Sequence, residues 1–334
     1  MKIFITGMAG FLGSHLAERL IADGHEVSGC DNLIGGELSN VPSGARFHFA
    51  ECGDRGHMLA LLEGADVVYH CACTAHEGLS IFSPHYITRN TFDITISVLS
   101  AAISQKVKRF VYLSSMARYG EQEIVPFLES ETPKPQDPYG IAKYASELVI
   151  KELCTTHGME YTIAVPHNII GPRQKYDDPF RNVASIFINL MLQGRAPTIY
   201  GDGSQERCFS GINDVVDPLI KMATSNDVLG EVINVGPDEG VITVKELAVI
   251  IAELTGFTGE FNYMKGRPRE VKIAHCSADK ARRLLGYEPK QKLVDVLSDM
   301  IESIKQKGVR DFQYHVGLEI DTELTPKTWK NKLF

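Results

Sequence analysis

The first fourteen residues limit most strongly how this chain can fold. Residues 3–5 form a short apolar run, Ile-Phe-Ile, typical of a strand buried on both faces of a parallel sheet. Gly7, Gly10 and Gly13 follow, and then comes an amphipathic stretch that Asp23-Gly24 ends. A strand, a glycine turn and a helix in this order bring backbone N–H groups and a helix N-terminus to one point. A diphosphate can bind there.

The glycine spacing differs from the commoner G-x-G-x-x-G form, so a purely structural turn is the plainer alternative. A single acid, Asp31, ends the second predicted strand. It lies about 20 residues beyond the glycines, where a carboxylate can bind both ribose hydroxyls of an adenosine. No Arg or Lys occurs between Asp31 and Leu38 to bind a 2′-phosphate. The segment therefore predicts NAD, rather than NADP, as the cofactor.

Length, charge and cysteine content narrow the class of protein. The 334 residues allow two domains and a large core. A net charge of −8 argues against nucleic acid or an anionic membrane as a general partner, though a local basic pocket for a phosphorylated substrate stays open. The seven cysteines show no metal-binding spacing, so we expect no metal site and thiols kept in a reducing cytoplasm. Met1 runs directly into a strand, which predicts no signal peptide.

Strands and helices alternate through the first half of the chain. Further strands are predicted near residues 47–50, 66–70, 109–114 and 161–165, with helices between them. Five strand–helix units in succession imply right-handed crossovers and a doubly wound parallel Rossmann sheet, an α/β fold. The loop predicted over residues 74–89 then lies over the carboxyl edge of the sheet, where ligands of α/β proteins bind.

The alternation loosens beyond residue 166, which predicts a second unit. We expect an NAD-binding Rossmann domain over residues 1–166, to which 211–238 returns. Residues 167–210 and 239–307 are predicted to form a smaller mixed α/β lobe that closes over a substrate. Its helices are predicted near residues 180–193, 244–254, 279–285 and 293–305. Residues 308–334 are a polar tail to which the sequence assigns no structure.

Tyr139 and Lys143 stand at positions i and i+4 of a helix that Asp137-Pro138 opens, so both project from one face. A lysine ammonium close to a phenol favours the phenolate, so the pKa of Tyr139 is predicted to be lowered. Such a tyrosine can take a proton from a substrate hydroxyl near neutral pH. A surface pair packed along a helix is the plainer alternative. Ser115 favours the chemical interpretation, because it follows the strand over 109–114 and its hydroxyl can bind the oxygen that Tyr139 deprotonates.

Together these features resemble the extended short-chain dehydrogenase/reductase family, in its NAD-dependent epimerase/dehydratase branch. The resemblance covers residues 1 to about 305 and is highly specific, because several separate motifs match. The matching stretches are Gly7 to Gly13, Ser114 to Gly120, Tyr139 to Lys143, Asn168 with Gly171-Pro172-Arg173, Tyr200 to Gly203, and Leu285-Gly286-Tyr287.

The resemblance implies a nucleotide-diphosphate sugar as substrate and NAD as cofactor. Tyr139 would deprotonate a sugar hydroxyl, usually at C4, while hydride passes to the nicotinamide, and Lys143 would hold the nicotinamide ribose. Asn168 would contact the sugar or the diphosphate. Arg207 and Arg267 would clamp the phosphates through their guanidinium groups, with surface solvation as the alternative for each. The implied catalytic residues are Ser115, Tyr139 and Lys143.

The predicted binding residues form two groups. The cofactor group comprises Gly7, Gly10, Phe11, Leu12, Gly13, Asp31, Asn32, Glu51, Cys52, Tyr139 and Lys143. The substrate group comprises Glu77, Ser115, Asn168, Arg207 and Arg267. Glu51, or else Asp54, is the candidate acid at the adenine edge. Family members are often dimers through paired helices, here residues 85–104 and 138–157, so we expect a homodimer or higher homo-oligomer.

Departures from the family pattern select between reactions. Family dehydratases usually carry Asp-Glu after the active-site hydroxyl residue, and decarboxylating relatives generally keep the glutamate, whereas this chain has Met116-Ala117. An alanine there resembles the 4-epimerases, so we predict NAD-dependent C4 epimerisation of a nucleotide-diphosphate sugar through a 4-keto intermediate. A 4,6-dehydratase stays open, with Glu77, His76 or His167 as substitute acid and base. Net oxidation by a 4-dehydrogenase is a further alternative.

A non-enzymatic NAD-sensing protein is the alternative from another class, and the intact Ser115, Tyr139 and Lys143 disfavour it. Pro166-His167, Cys208 and the polar loop 76–80 also depart from the family pattern. These departures indicate an unusual sugar.

Overall fold

The structure, a computed structural model, describes all residues from Met1 to Phe334. Its strands are β1 (Lys2–Thr6), β2 (Glu26–Asp31), β3 (Arg46–Phe49), β4 (Val67–His70), β5 (Arg109–Leu113), β6 (Glu160–Pro166), β7 (Ile169–Ile170), β8 (Thr198–Tyr200), β9 (Glu206–Arg207), β10 (Ser210–Gly211), β11 (Val232–Val235), β12 (Ile242–Thr243), β13 (Asn262–Met264) and β14 (Ile273–Ala274). Its helices are α1 (Phe11–Ala22), α2 (Arg55–Leu61), α3 (Glu77–Ser80), α4 (Pro84–Thr88), α5 (Ile94–Ser104), α6 (Pro138–His157), α7 (Val183–Leu192), α8 (Ile212–Thr224), α9 (Val244–Thr255), α10 (Asp279–Leu285), α11 (Leu293–Lys307) and α12 (Lys327–Lys330). None of these helices combines the length and the apolar character that crossing a bilayer requires.

Seven parallel strands form the central sheet, in the order β11-β6-β5-β4-β1-β2-β3. β1 lies between β2 and β4, and Ile3 stands opposite both Val27 and Val67. The chain runs outward from β1 through β2 and β3 and then crosses back to β4 on the other side. This reversal makes a crevice at the carboxyl ends of β1 and β4, the usual ligand site of an open α/β sheet. The predicted doubly wound α/β fold is confirmed.

Helices cover both faces of the sheet because its strands are apolar on both sides. Side chains alternate along β1, so Ile5 enters one core and Phe4 enters the other. Leu16 of α1 packs in the first core, and Val98 of α5 and Ile150 of α6 pack in the second. The apolar run at residues 3–5 therefore forms the central strand of the molecule.

The second half of the chain divides between the sheet and a smaller lobe. Within residues 211–238, β11 pairs in parallel with β6, with Val232 opposite Ile163. Helices α7, α9 and α11 form the lobe with the strand pair β8-β13 and the three-stranded sheet β12-β9-β14. Helix α10, expected in this lobe, instead packs on the sheet, because Ala281 and Leu285 enter the core of β1 and α8. The division into separately folding domains stays a prediction.

The segment predicted as a loop over residues 74–89 contains two short helices, α3 and α4. Pro84 occupies the first turn of α4, a position where proline is compatible with a helix. The Glu319 carboxylate accepts hydrogen bonds from His85 N and Tyr86 N, both at 2.8 Å. The loop prediction is therefore wrong here, because the cap of α4 comes from a residue far away in the chain.

The tail over residues 308–334 is an ordered part of the fold. Gln313 N donates to Asp177 O at 2.7 Å, next to the smaller lobe. Glu319 N and Ile320 N then donate to Phe82 O at 2.9 Å, in the segment after β4. The tail ends in α12, where Trp329 is buried. It therefore bridges the two halves of the molecule.

Candidate active site

One cavity of about 490 Å³ lies at the carboxyl edge of the sheet, between the sheet, the smaller lobe and the tail. Every predicted cofactor and substrate residue lines it: Gly7, Gly10, Phe11, Leu12, Gly13, Asp31, Asn32, Glu51, Cys52, Glu77, Ser115, Tyr139, Lys143, Asn168, Arg207 and Arg267. Asp54 does not, because its carboxylate caps α2 by accepting a hydrogen bond from His57 N at 3.0 Å. Glu51 is therefore the acid available at that end of the cavity.

The glycine turn between β1 and α1 leaves no room for side chains. Gly7 has a φ of +72°, and a Cβ atom there would lie 2.9 Å from Ala72 N. A Cβ atom on Gly13 would lie 2.2 Å from the Gly7 carbonyl oxygen, so α1 packs directly on the turn. Gly10 precedes α1, and no side chain caps this helix. The first-turn N–H groups of α1 are therefore suited to bind an anion.

Asp31 ends β2 beside this turn. Its carboxylate accepts hydrogen bonds from Ala9 N at 3.1 Å and Leu33 N at 2.8 Å. Burial raises the pKa of Asp31, although these N–H groups oppose the shift. Arg181, which no motif in the sequence indicates, reaches this region from the smaller lobe, and a Cβ atom on Gly35 would lie 2.4 Å from its guanidinium.

Glu51 and Asn32 form a polar pair near Asp31. Asn32 Nδ2 donates to the two oxygens of the Glu51 carboxylate at 3.1 and 3.2 Å. Cys52 is buried beside them, with its Sγ atom 3.8 Å from Cys30 Sγ. This pair offers both a donor and acceptors at the cavity wall.

Tyr139 and Lys143 project from α6 towards the carboxyl end of β5. Helix α6 begins as predicted, because the Asp137 carboxylate accepts a hydrogen bond from Gly140 N at 2.9 Å. Lys143 Nζ donates to Leu113 O at 2.7 Å and lies 5.9 Å from the centre of the Tyr139 ring. Ser115 lines the same cavity, and its side chain acts directly on the Tyr139 phenol by favouring the phenolate. The three predicted catalytic side chains are therefore close together.

The acidity of this group differs from the prediction at one point. Burial raises the pKa of Tyr139, and Cys73 adds to the shift, while Lys143 and Ser115 favour the phenolate as expected. The predicted lowering of the pKa of Tyr139 is therefore wrong, because burial of the phenol outweighs the neighbouring ammonium. Burial alone would lower the pKa of Lys143, but Cys73, Tyr112 and Tyr139 raise it, so the ammonium stays charged.

Two arginines and a distorted asparagine lie at the other end of the cavity. Arg207 in β9 donates to Glu206 O and Val271 O, both at 2.8 Å. The Arg267 guanidinium pairs with Glu270 at 2.5 Å and lies 5.0 Å from the centre of the Tyr200 ring. Asn168 has a φ of +42° and donates through Nδ2 to Cys208 O at 3.0 Å. Both positive charges therefore face the cavity in fixed positions.

Glu77 and Asp137 form a carboxylate pair between the arginines and α6. Glu77 is exposed to the cavity and enclosed by its walls, and burial raises its pKa against the opposing effect of Arg207 and Arg267. Burial, and then the charge of Glu77, raise the pKa of Asp137 to about 7. The sequence indicated Asp137 only as a helix cap, so its place in the cavity wall was missed. Its position two residues before Tyr139 was the available signal.

The other two substitute acid–base residues have partners elsewhere. His76 lines the cavity, but its Nε2 lies 3.0 Å from Asp178 Oδ2. His167 Nε2 lies 2.9 Å from Pro237 O, and this residue is buried outside the cavity wall. Of the three side chains considered for water elimination, Glu77 alone faces the cavity without a protein hydrogen-bond partner.

His76, Asp178 and His315 bring their ligand atoms within 4.8 Å of one another, a spacing that a metal ion could use. The same Asp178 oxygen is 3.2 Å from Arg181 Nε, however. His76 and Arg181 hold the pKa of Asp178 well below its usual value despite burial. The guanidinium thus already supplies the positive charge, so the cluster is an ion-pair network that joins the tail to the cavity rim.

Comparisons with known proteins place this geometry in a family. The family model "NAD dependent epimerase/dehydratase family" matches residues 3–236. The chain is 30% identical over 319 residues to a UDP-glucose 4-epimerase of Mycolicibacterium smegmatis, which covers 92% of this chain and 100% of the relative.

Solved structures of 4-epimerases have the same fold as this chain. The UDP-glucose 4-epimerase of Thermotoga maritima with UDP-glucose superposes with a TM-score of 0.87 at 31% identity, covering 92% of this chain and 99% of that one. The UDP-glucuronic acid 4-epimerase of Bacillus cereus, in complex with UDP-glucuronic acid and NAD, has a TM-score of 0.86 at 28% identity and covers 92% and 100%. The shared fold, the glycine turn and the tyrosine–lysine helix together show that this chain belongs to the NAD-dependent epimerase/dehydratase family and uses NAD.

Proposed function

We propose that this enzyme inverts the C4 hydroxyl of a nucleotide-diphosphate sugar through a 4-keto intermediate. The observation that supports it best is the grouping of Ser115, Tyr139 and Lys143 in one cavity with the glycine turn. Met116 and Ala117, which follow Ser115, offer no acid or base. A redox step at C4 that is then reversed needs only one proton acceptor, and Tyr139 can be that group.

The proposed cycle begins and ends at the Tyr139 phenol oxygen. As a phenolate, Tyr139 takes the proton from the C4 hydroxyl, and Ser115 donates a hydrogen bond to the same sugar oxygen. NAD, held by the glycine turn, Asp31 and Lys143, would supply a reversible hydride acceptor for either face of C4, and its positively charged ring would favour the phenolate. Lys143 stabilises the phenolate while the cavity holds the ketosugar away from solvent. Tyr139 then returns the proton, so substrate and product are isomers.

The proposed cofactor contacts follow from the chemistry of the lining groups. The glycine turn and the N-terminus of α1 suit the diphosphate. Asp31 suits the adenosine ribose, and Lys143 suits the nicotinamide ribose. Asn32 and Glu51 suit the adenine edge, because together they offer an amide donor and carboxylate acceptors.

The proposed substrate contacts lie at the opposite end. Arg207 and Arg267 suit the substrate diphosphate, because guanidinium groups bind phosphate oxygens through paired donors. Asn168 and Glu77 suit the sugar hydroxyls. We infer a uridine nucleotide, because the similar enzymes compared above carry UDP-sugars in their names.

A 4,6-dehydratase is the second candidate, because Asp137, two residues before Tyr139, forms a carboxylate pair with Glu77. The pKa of Asp137, about 7, suits a general acid, and Glu77 could serve as the base. The Asp137 Oδ1 atom is held in the cap of α6, however, by hydrogen bonds from Gly140 N at 2.9 Å and from the Ser80 hydroxyl at 3.2 Å, and epimerisation needs neither carboxylate. Epimerisation is therefore the better supported reaction.

Incubation of the purified enzyme with UDP-, GDP-, CDP- and dTDP-sugars tests this function. Chromatography with mass spectrometry is expected to find a UDP-sugar product of unchanged mass and altered retention. A product lighter by one water would establish the dehydratase instead. A product lighter by two hydrogens, with accumulating NADH, would establish net oxidation.

We further infer that the enzyme is a homodimer through α6 and its neighbour α5. Ile141 and Leu148 lie seven positions apart on one face of α6 and are 52% and 49% exposed. Apolar side chains at this spacing form a stripe that a second copy of the same helix can cover.

A further inference from the structure

The tail over residues 308–334 supplies part of the wall of the cavity. Trp329 and Phe334 both line it. The resemblance to the family covers residues 1 to about 305 and so ends before this tail. This wall is thus a candidate for a property that differs from those of other family members.

Several anchors hold the tail against the cavity. Ser83 Oγ donates to Gly317 O at 2.7 Å, next to the cap that Glu319 provides for α4. Tyr314 Oη donates to Thr328 O at 3.0 Å, and the Tyr200 and Thr328 hydroxyls are hydrogen-bonded to each other. Phe334 N also donates to Tyr314 Oη at 3.1 Å, so the backbone is held on both sides of Trp329.

The Trp329 indole is wedged among groups at the substrate end. It is 4% exposed and meets the Phe180 and Phe82 rings edge to face, with ring centres 5.5 and 6.0 Å apart. A Cβ atom on Gly78 would lie 3.3 Å from Trp329 Cη2 and 3.2 Å from Arg267 Nη1. The indole edge thus lies next to Glu77 and to one of the arginines.

We propose that Trp329 is a specificity-determining residue, which limits the size of the sugar substituent that faces the tail. The inference rests on the proposed function, because it requires a sugar in this end of the cavity. The indole is a rigid apolar group whose edge bounds the space left for a substituent of the sugar. Glu77, one residue from Gly78, accepts hydrogen bonds from hydroxyl groups on the same ring. Since the indole is packed on two further rings, it cannot move aside for a larger group.

Trp329 is the single tryptophan of the chain, so tryptophan emission reports the surroundings of this side chain alone. UDP-glucose is expected to change the intensity or wavelength of tryptophan emission at saturation, and UDP is expected to leave both unchanged. Calorimetry of the same titrations establishes binding separately. Binding of UDP-glucose without a change in emission, or an equal change with UDP, would overturn the inference and leave the proposed function standing. Absence of binding by any nucleotide sugar would overturn both.

Substitution tests specificity itself. In Trp329→Ala, the ratio of kcat/KM for UDP-N-acetylglucosamine to that for UDP-glucose is expected to rise about tenfold or more, the usual effect of pocket size. Trp329→Phe keeps an aromatic wall and is expected to preserve most of the original discrimination. Val316→Ala is the matched control, because Val316 packs in the same apolar cluster without lining the cavity. An unchanged ratio in Trp329→Ala, or the same shift in Val316→Ala, would refute the role of Trp329.

Discussion

Tyr139 is the residue on which the proposed reaction depends most directly. Tyr139→Phe keeps the ring that packs beside Ala117 and Phe180 and removes only the proton acceptor. We expect substrate-driven reduction of bound NAD to fall by about 10²- to 10⁴-fold, with nucleotide-sugar affinity nearly unchanged. Stopped-flow absorbance at the reduced-nicotinamide band measures this rate. Tyr144→Phe, on the same helix but outside the cavity, is the control. An undiminished rate in Tyr139→Phe would exclude this residue as the base.

The pKa of Tyr139 also shows that residue spacing in the sequence predicts the neighbours of a side chain but not its burial. The i and i+4 spacing correctly predicted that Lys143 would favour the phenolate, but the depth of burial depends on the whole cavity. Sequence spacing gives the partners of a side chain more readily than its exposure to water, because exposure depends on residues from every surrounding segment.

The prediction that the enzyme prefers NAD to NADP depends on Asp31. Its carboxylate would face the 2′-phosphate of NADP, so we expect NAD to bind more tightly than NADP. Asp31→Ser removes the charge and is expected to narrow the difference in dissociation constants between the two dinucleotides. Calorimetric titration of the cofactor-free enzyme and of this variant measures both. Tighter binding of NADP to the unaltered enzyme would show that Arg181 dominates this site.

At the scale of elements, the start of α6 links stability to pH. The pKa of Asp137 is about 7 in the fold against an ordinary 3.8, so the folded protein binds more protons than the unfolded chain between these values. Stability contributed by this group is therefore present below about pH 4 and declines as pH rises to about 7. Asp137→Asn keeps a capping side chain without the titration.

We expect the thermal midpoint of the unaltered enzyme to fall relative to that of Asp137→Asn between pH 4 and 7. Scanning calorimetry at several pH values measures the difference. Parallel pH profiles for the two proteins would mean that the carboxyl of Asp137 keeps an ordinary pKa. Glu77→Gln should shift the decline to lower pH, because the neighbouring charge is a second cause of the raised pKa.

Helices whose first turn is marked by neighbouring residues in the sequence could be predicted. Helices that are capped by a residue far away in the chain could not. Asp137-Pro138 marks the first turn of α6 within the sequence itself, so its start was predicted to the residue. The glycine turn likewise fixes the start of α1. Helix α4 depends on a cap from Glu319, and nothing near Pro84 indicates that partner. Loop and helix therefore could not be told apart over residues 74–89.

At the scale of the whole molecule, the doubly wound parallel sheet could be predicted from the alternation of strands and helices, but the place of the tail could not. Residues 308–334 are polar and lie beyond the family resemblance, so no motif predicted that Trp329 lines the cavity. The same holds for α10, whose apolar face faces the sheet rather than the smaller lobe. Contacts between distant segments decide both positions.

The proposed dimer is also a property of the whole molecule. We expect sedimentation velocity to give a mass of two chains, and Leu148→Glu to give one chain, because a charge would interrupt the exposed apolar stripe of α6. Val249→Glu is the control, since Val249 is similarly exposed on α9, away from that stripe. A single-chain mass for the unaltered enzyme, or equal dissociation by both variants, would contradict pairing through α6.

The central claim is that the hydrogen on C4 is removed and then returned to the same carbon. A deuterium label at C4 traces this transfer directly. The substrate is a UDP-sugar that the enzyme turns over, labelled at C4 and incubated in ordinary water with NAD. We predict that NMR will find the product to be the C4 epimer with the deuterium still on C4 and no mass lost. Loss of the deuterium to solvent, or a product lighter by one water that carries solvent hydrogen at C5, would contradict C4 epimerisation.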